Sequence, residues 1–116
     1  MKKYFVLLIA VILIQSCNND HGKICVRNSV SSATLENVVW GNFMLANNLL
    51  PGESSIKLTL YNSDEKLPTT HRISFTMSAN GSKVYLETEK LYSLQNGDDL
   101  LIIIDDSTKV INLAKK

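Results

Sequence analysis

Apolar residues are distributed along this chain in two different ways. Residues 4–14 form an unbroken apolar run of 11. Beyond residue 22 the apolar residues come in short stretches that alternate with polar ones, and no long window carries a helical period. Alternation at a period of two puts every second side chain on one face of an extended strand. The stretches are rich in Val, Ile, Leu, Thr and Tyr, which suit a pleated, half-buried surface, and Gly, Asn, Pro, Asp and Ser separate them.

A first strand is expected over 23–29, followed by a serine-rich corner over 29–33 and a second strand over 35–40. Alternation fails in the second. Glu36 shares a face with Val38, while Leu35, Asn37 and Val39 share the other, so neither face is cleanly polar. Gly41-Asn42 bends the chain, 43–45 reads as a weak strand, and Asn47-Asn48 is expected to break it. Pro51-Gly52 fits a type II turn, in which proline presets the first central φ and glycine accepts a positive second one.

Over 54–61 the alternation is clear, with Ile56, Leu58 and Leu60 on one face and Lys57, Thr59 and Tyr61 on the other. Residues 62–68 read as a polar loop. Residues 70–78 alternate again, setting Ile73, Phe75 and Met77 against Arg72, Ser74, Thr76 and Ser78. Asn80-Gly81 is a hairpin signal, because a type I′ turn needs positive φ at both central residues. The return strand, 83–88, puts Val84 and Leu86 together. A short strand over 91–94 and a turn at Asn96-Gly97-Asp98 follow. Residues 100–104 are continuously apolar and read as a central strand buried on both faces. Asp105-Asp106-Ser107 turns the chain into a last strand over 108–113. Seven or eight short strands at spacings near ten residues predict an all-β fold, an antiparallel β-sandwich.

The N-terminal run is different in kind. It is about half the ~20 residues that a helix needs to span a hydrocarbon core. Lys2 and Lys3 precede it, and the polar Asn18, Asn19 and Asp20 follow Cys17. A positive flank, a short apolar region and a small residue before a cut are the parts of an export signal. Ile14-Gln15-Ser16-Cys17 resembles the lipobox of bacterial lipoproteins, which runs aliphatic residue, tolerant position, small residue, cysteine. That resemblance implies removal of residues 1–16 as a lipoprotein signal peptide and acylation of Cys17 with diacylglycerol and a further fatty acid such as palmitate. It makes 17–22 a lipidated, polar tether and 23–116 the domain. Asn18, where enterobacterial inner-membrane lipoproteins carry Asp, points by the same resemblance to the outer membrane. The partner implied is the membrane itself, reached through lipid.

Charge changes this picture little. The chain has 12 basic and 11 acidic residues, and without Lys2 and Lys3 the basic count falls to 10, a formal charge of −1. No basic stripe points to nucleic acid, and no acidic tail points to a counter-charged partner. The two cysteines, Cys17 and Cys25, offer competing readings: lipid on Cys17 leaves Cys25 as a small buried apolar residue, whereas a disulfide between them excludes lipidation.

Two wider resemblances follow from the turn and strand pieces. Val26-Arg27-Asn28-Ser29, Leu35-Glu36-Asn37-Val38, Leu50-Pro51-Gly52-Glu53-Ser54-Ser55 and Tyr92-Ser93-Leu94-Gln95-Asn96-Gly97-Asp98 together resemble small envelope lipoproteins of the Bacteroidetes. In those proteins such a pattern marks an immunoglobulin-like or transthyretin-like sandwich. Lipobox, size and strand character also resemble the lipoprotein subunit of type VI secretion systems. Asp106-Ser107-Thr108 resembles the short O-glycosylation acceptor of Bacteroidetes envelope proteins, which makes Ser107 a candidate glycan site; a plain turn uses the same residue types.

Candidate chemistry is sparse. His21 and His71 are the only histidines, and with Cys25 they show no ligand spacing for a metal; solvent-exposed imidazoles are expected. Asp98-Asp99 and Asp105-Asp106 flank 100–104, whose five extended residues separate the pairs by ~17 Å. They are expected to mark strand ends, where solvated carboxylates discourage edge pairing, rather than to form one carboxylate dyad or one calcium site. No nucleophile elbow and no phosphate loop is present in the sequence. Trp40, Tyr61, Tyr85 and Tyr92 are expected in packing, with sugar stacking as the alternative. The expectation is a non-enzymatic, lipid-anchored binding or structural module without cofactor, metal or small-molecule substrate, and with a protein or glycan partner. A secretion-apparatus subunit and an inhibitor of an enzyme such as lysozyme, acting through loop 62–68, are the alternatives.

Overall fold

The computed structural model describes residues 20–62 and 66–113. The fold is an all-β sandwich. Its strands are β1 (His21–Ser29), β2 (Thr34–Trp40), β3 (Phe43–Leu49), β4 (Leu58–Tyr61), β5 (Thr69–His71), β6 (Ile73–Ala79), β7 (Ser82–Thr88), β8 (Tyr92–Leu94), β9 (Asp99–Asp105) and β10 (Val110–Asn112). Among the described residues there are ten strands where seven or eight are expected. The surplus comes from very short pieces: β5, β8 and β10 have three residues each.

One sheet has five strands in the order β10-β7-β6-β2-β3, and the other has three, β4-β1-β9; β5 and β8 form a small pair of their own. The five-stranded sheet is antiparallel throughout. The expected antiparallel pattern is broken once, because β1 and β9 run parallel over seven partnered residues, Lys23↔Asp99 to Ser29↔Asp105. β1 begins at His21, so His21 and Gly22, expected in the tether, are strand residues paired with Tyr61 and Leu60.

Between the sheets lies a core of Ile24 and Val26 from β1, Ile102 and Ile104 from β9, Leu60, Leu94, and Leu35, Val38, Trp40, Leu45, Leu49, Ile73, Phe75 and Leu86 facing them. The irregular alternation of β2 has a cause. Asn37 takes a positive φ of 49°, and the register with β6 shifts between Glu36 and Val39. This is a β-bulge, an extra residue that resets the phase of the strand. It lets Leu35, Val38 and Trp40 all enter the core although their spacing is uneven. Asn tolerates this backbone better than most residues.

Turn chemistry behaves as expected. Asn80 and Gly81 have φ of 53° and 78° and close the β6–β7 hairpin at Ala79↔Ser82. Around Pro51-Gly52 the Glu53 amide donates to the Leu50 carbonyl at 2.9 Å, and the Glu53 carboxylate accepts the Leu50 amide at 2.7 Å.

Four strand readings are corrected. Asn47-Asn48 does not end β3, which continues to Leu49. β3 is a sheet edge, and both asparagines are solvent-exposed there. Ile56 is outside β4 and 85% exposed: Ser54 bridges Arg27 and the Ser55 amide bonds the Val26 carbonyl, so this stretch already lies beside β1, but one residue out of register with β4. The stretch 70–78 is two strands, since β5 leaves to pair with β8 and β6 begins at Ile73. Most important, 100–104 is not a central strand. β9 lies at an edge, and only Ile102 and Ile104 are buried.

Candidate functional site

The expected site residues fall at three places. Cys17 lies outside the described residues, as does most of the segment read as signal and tether. His21 opens β1 and marks one end of the sandwich. There the Asn62 amide donates to the Asp20 carbonyl at 2.7 Å and the Gly97 amide to the His21 carbonyl at 2.8 Å. The His21 ring packs on Tyr61 with centroids 5.6 Å apart. Loop 62–68 therefore starts at the end where the chain enters the domain. Residues 63–65 of that loop are outside the described residues.

The opposite end is built by β1 and β9 finishing together at Ser29↔Asp105. The Asp105 carboxylate accepts the Ser107 amide at 2.9 Å, the Ser107 hydroxyl at 2.8 Å and the Thr108 hydroxyl at 3.2 Å. Asp106 accepts the Ser31 hydroxyl at 2.7 Å and its amide at 3.0 Å. These donors stabilise the charged forms. Hydrogen bonds from Ser107 lower the pKa of Asp105, and those from Ser31 lower that of Asp106. Ser107 itself is exposed in this turn. At the other end of β9, Asp99 pairs with Lys57 at 2.8 Å. That hydrogen bond lowers the Asp99 pKa and raises that of Lys57. The two acidic pairs thus sit at opposite ends of one strand.

The third place is the outward face of the three-stranded sheet. Successive residues of β1 alternate between core and surface, and Cys25, Leu101 and Ile103 point away from the core residues Ile24, Val26, Ile102 and Ile104. Cys25 is a free, buried thiol beside Leu101 in the ladder. Leu101 and Ile103 are each 48% exposed. Sequence reasoning missed this surface because a continuous apolar run looks the same whether one or both of its faces are covered.

His71 corrects the expectation of exposed histidines. It is part-buried, edge-on to Trp40 with centroids 5.1 Å apart, and its Nε2 lies 3.1 Å from Thr69 Oγ1. A Cβ placed on Gly41 would come within 2.4 Å of the imidazole, so glycine makes room for the ring. Trp40 is fully buried and donates its indole N–H to the Tyr92 carbonyl at 3.1 Å. Tyr92 is half-buried under Lys90, whose ammonium lies 5.3 Å from the ring centroid. Tyr61 and Tyr85 are exposed on different sheets, so the aromatic residues do not line one sugar-stacking platform.

In the sequence Asn28 stands out only within the piece Val26-Arg27-Asn28-Ser29, yet it is the most heavily bonded buried polar side chain among the described residues. It is fully buried; its Nδ2 donates to the Ala33 and Leu49 carbonyls, each at 2.9 Å, and its Oδ1 accepts the Val30 amide at 2.9 Å. An Asn flanked by two strand residues and followed by a serine corner was the available signal.

No group of three His, Cys, Asp or Glu side chains converges on a metal position among the described residues. No protein-family model, curated protein or solved structure matches the chain.

Proposed function

We propose that this chain is a lipid-anchored cell-envelope lipoprotein of the small Bacteroidetes type. Its immunoglobulin-like or transthyretin-like sandwich acts as a non-enzymatic binding or structural module. The observation that carries the reading is the order Lys2-Lys3, apolar run 4–14, Ser16-Cys17, and then a first strand beginning at His21. Among the described residues no helix is long and apolar enough to cross a membrane. In this reading attachment rests on acyl chains at Cys17. Each buried methylene contributes about 0.8 kcal/mol, and more than one chain is needed for a lasting anchor.

The geometry gives this reading a direction. Residues 18–20 are all that separate Cys17 from β1, and at ~3.5 Å per residue they reach ~10–14 Å. The domain then stands close to the bilayer with its His21 end down. Asn62 and Gly97 share that end. Asn62, where loop 62–68 begins, would lie toward the membrane, a poor position from which to enter the active site of another protein. Ser107 lies near the end of β1 opposite His21, ~26 Å away along the strand, where an attached glycan would project outward.

Intact mass of the protein extracted from membranes tests the reading, with a Cys17→Ala version alongside. The expected mature species starts at Cys17, is heavier by its acyl groups, and disappears in the variant. An unmodified mass, or a disulfide between Cys17 and Cys25, would show an exported protein without lipid.

A further inference from the structure

In the two larger sheets four strands lie at an edge: β4 and β9 in one, β10 and β3 in the other. An edge strand presents unpaired backbone groups, and proteins blunt such edges with short strands, bulges, charges or proline. β10 spans three residues and β4 four. β3 pairs through a register shift at Val38/Val39, and residues 53–56 lie alongside it across a shared cleft. Between its terminal aspartates β9 has none of these devices. It has seven residues, pairs with β1 in unbroken register, and carries neither proline nor charge between its terminal aspartates.

The ladder fixes which backbone groups point off the sheet. The Lys23 amide donates to the Asp98 carbonyl at 2.8 Å. Successive peptide groups of a strand point to opposite sides, so alternate residues address the same neighbour. Asp98, Leu100, Ile102 and Ile104 therefore bond β1, and the amides and carbonyls of Leu101 and Ile103 face away from it. Asp105 is in the same phase as Ile103, and its amide does turn away from β1, to Thr108 Oγ1 at 2.9 Å. The Leu101 and Ile103 side chains flank these groups on the half-exposed outer face.

We propose that the β9 edge is a docking site for an extended protein segment that adds to the sheet as an antiparallel strand. That segment carries apolar residues opposite Leu101 and Ile103 and a basic residue opposite Asp99 and Asp105. The proposal rests on the binding-module reading and names its site and partner class. Main-chain bonds supply affinity in such strand addition, and alternate side chains supply specificity.

Charge selects this occupant over a second copy of the chain. Two β9 strands paired about a two-fold axis in full register set Asp99 against Asp105 twice, and like charges directly opposite are destabilising. Asp98, Asp99, Asp105 and Asp106 cluster at the two ends of the edge. Among the described residues the one cation in ion-pair contact with them is Lys57, on Asp99. Lys23 and Arg27 sit on β1, beside Asp99 and Ile103 but away from the open edge. A cationic strand completes the pairing that a second copy opposes.

The probe is a labelled, end-blocked peptide, Lys-Thr-Val-Thr-Val-Thr-Lys, titrated into the full chain purified in detergent. Anisotropy reports binding, and amide hydrogen exchange reports the site. Saturable binding is expected, with exchange at Leu101 and Ile103 slowed about tenfold or more. Ile103→Pro removes an outward amide while sparing the β1 ladder, as proline on an open edge does, and should weaken binding by about tenfold or more. Leu101→Lys, a surface change that repels the basic peptide, should weaken it similarly. Replacing both peptide lysines by aspartate should do so too. Trp40 fluorescence checks that each variant is folded. Absence of saturation up to millimolar peptide, or binding indifferent to both variants, overturns the proposal. A dimer that Ile103→Pro dissociates overturns it in favour of a second copy. Peptide binding does not require lipid, and the Cys17 mass measurement does not require peptide, so each reading fails on its own evidence.

Discussion

The two sheets of this sandwich are assembled differently. Two hairpins, β2–β3 and β6–β7, make up most of the five-stranded sheet, joined where β2 meets β6. Their strands are neighbours in sequence, and the turns between them carry their own signals. The three-stranded sheet draws β1, β4 and β9 from the beginning, middle and end of the chain, and one of its two pairings is parallel. Their outer faces differ as well. Across the middle of the larger sheet run Glu36, Ser74, Thr76 and Glu87, with Lys83 in an ion pair to Glu36 at 3.1 Å. The smaller sheet exposes Leu101 and Ile103, with Cys25 buried beside Leu101. Both sheets expose apolar side chains, Met44, Val84, Tyr85 and Ile111 on the larger and Leu101 and Ile103 on the smaller, and what sets the smaller apart is the seven-residue edge strand β9 in unbroken register.

Asn28 is where the two sheets are fastened, so removing it is the strongest way to break the comparison. It sits on β1 of the small sheet and donates to the Leu49 carbonyl at the end of β3 in the large one. Its backbone amide and carbonyl engage Glu53 and Gly52 of the crossing segment at 2.8 and 2.6 Å. Asn28→Ala leaves the Ala33 and Leu49 carbonyls and the Val30 amide without their partner. Each buried group so orphaned costs about 1–3 kcal/mol. Partial entry of water offsets some of this, and we expect a loss of about 4 kcal/mol in urea unfolding. Hydrogen exchange should show the small sheet opening first. A loss under about 1 kcal/mol would mean that hydrophobic burial alone holds the sheets together.

A second test sharpens the contrast between the faces of β9. Ile102→Ala removes a core side chain and should cost about 3 kcal/mol, within the range for such truncations. Leu101→Ala removes a half-exposed one and should cost about 1 kcal/mol or less. The difference between the two denaturation midpoints is the measurement. Equal losses would restore a central strand covered on both sides.

These cases show how much of the molecule was legible in its sequence. The Asn80-Gly81 and Pro51-Gly52 turns, the β6 and β7 alternation and the all-β class follow from local rules, because each turn or strand encodes its geometry in adjacent residues. The bulge at Asn37 was visible only as failed alternation in 35–40. An extra residue that resets phase looks, in sequence, like noise. The edge position of β9 was illegible, since Leu100 to Ile104 carry no mark of what pairs on either side. Pairing across the whole chain is decided by tertiary packing. The candidate docking site inherits that blindness: its outward backbone groups have no strand partner among the described residues, and no residue type announces it. The acidic flanks were the legible part, and they do mark the ends of that strand.

The smallest expected effect concerns those flanks. Asp99, Asp105 and Asp106 have pKa values held below their ordinary 3.8 by hydrogen bonds from Lys57, Ser107 and Ser31 respectively. A carboxyl depressed in the folded state binds its proton more weakly there than in the unfolded chain. Its contribution to stability is present above the unfolded value and is lost as pH falls through the folded one. Lys57 is shifted the opposite way, above 10.5. Its contribution is present below the unfolded value and disappears as pH rises through the folded one. Stability should therefore be level through neutral pH and decline in acid below about 4. Asp105→Asn and Asp106→Asn should each soften the acid decline alone, and Asp99→Asn should soften both the acid and the alkaline limbs, because it removes the partner of Lys57. Asp99, Asp106 and Lys57 are solvent-exposed and Asp105 is part-buried, and salt should shrink the Asp99 effect most, as it is the one built on an ion pair. Urea midpoints across pH at two ionic strengths measure this. Acid limbs unchanged in all three variants would mean that the carboxylates at the ends of β9 do not hold that strand in place.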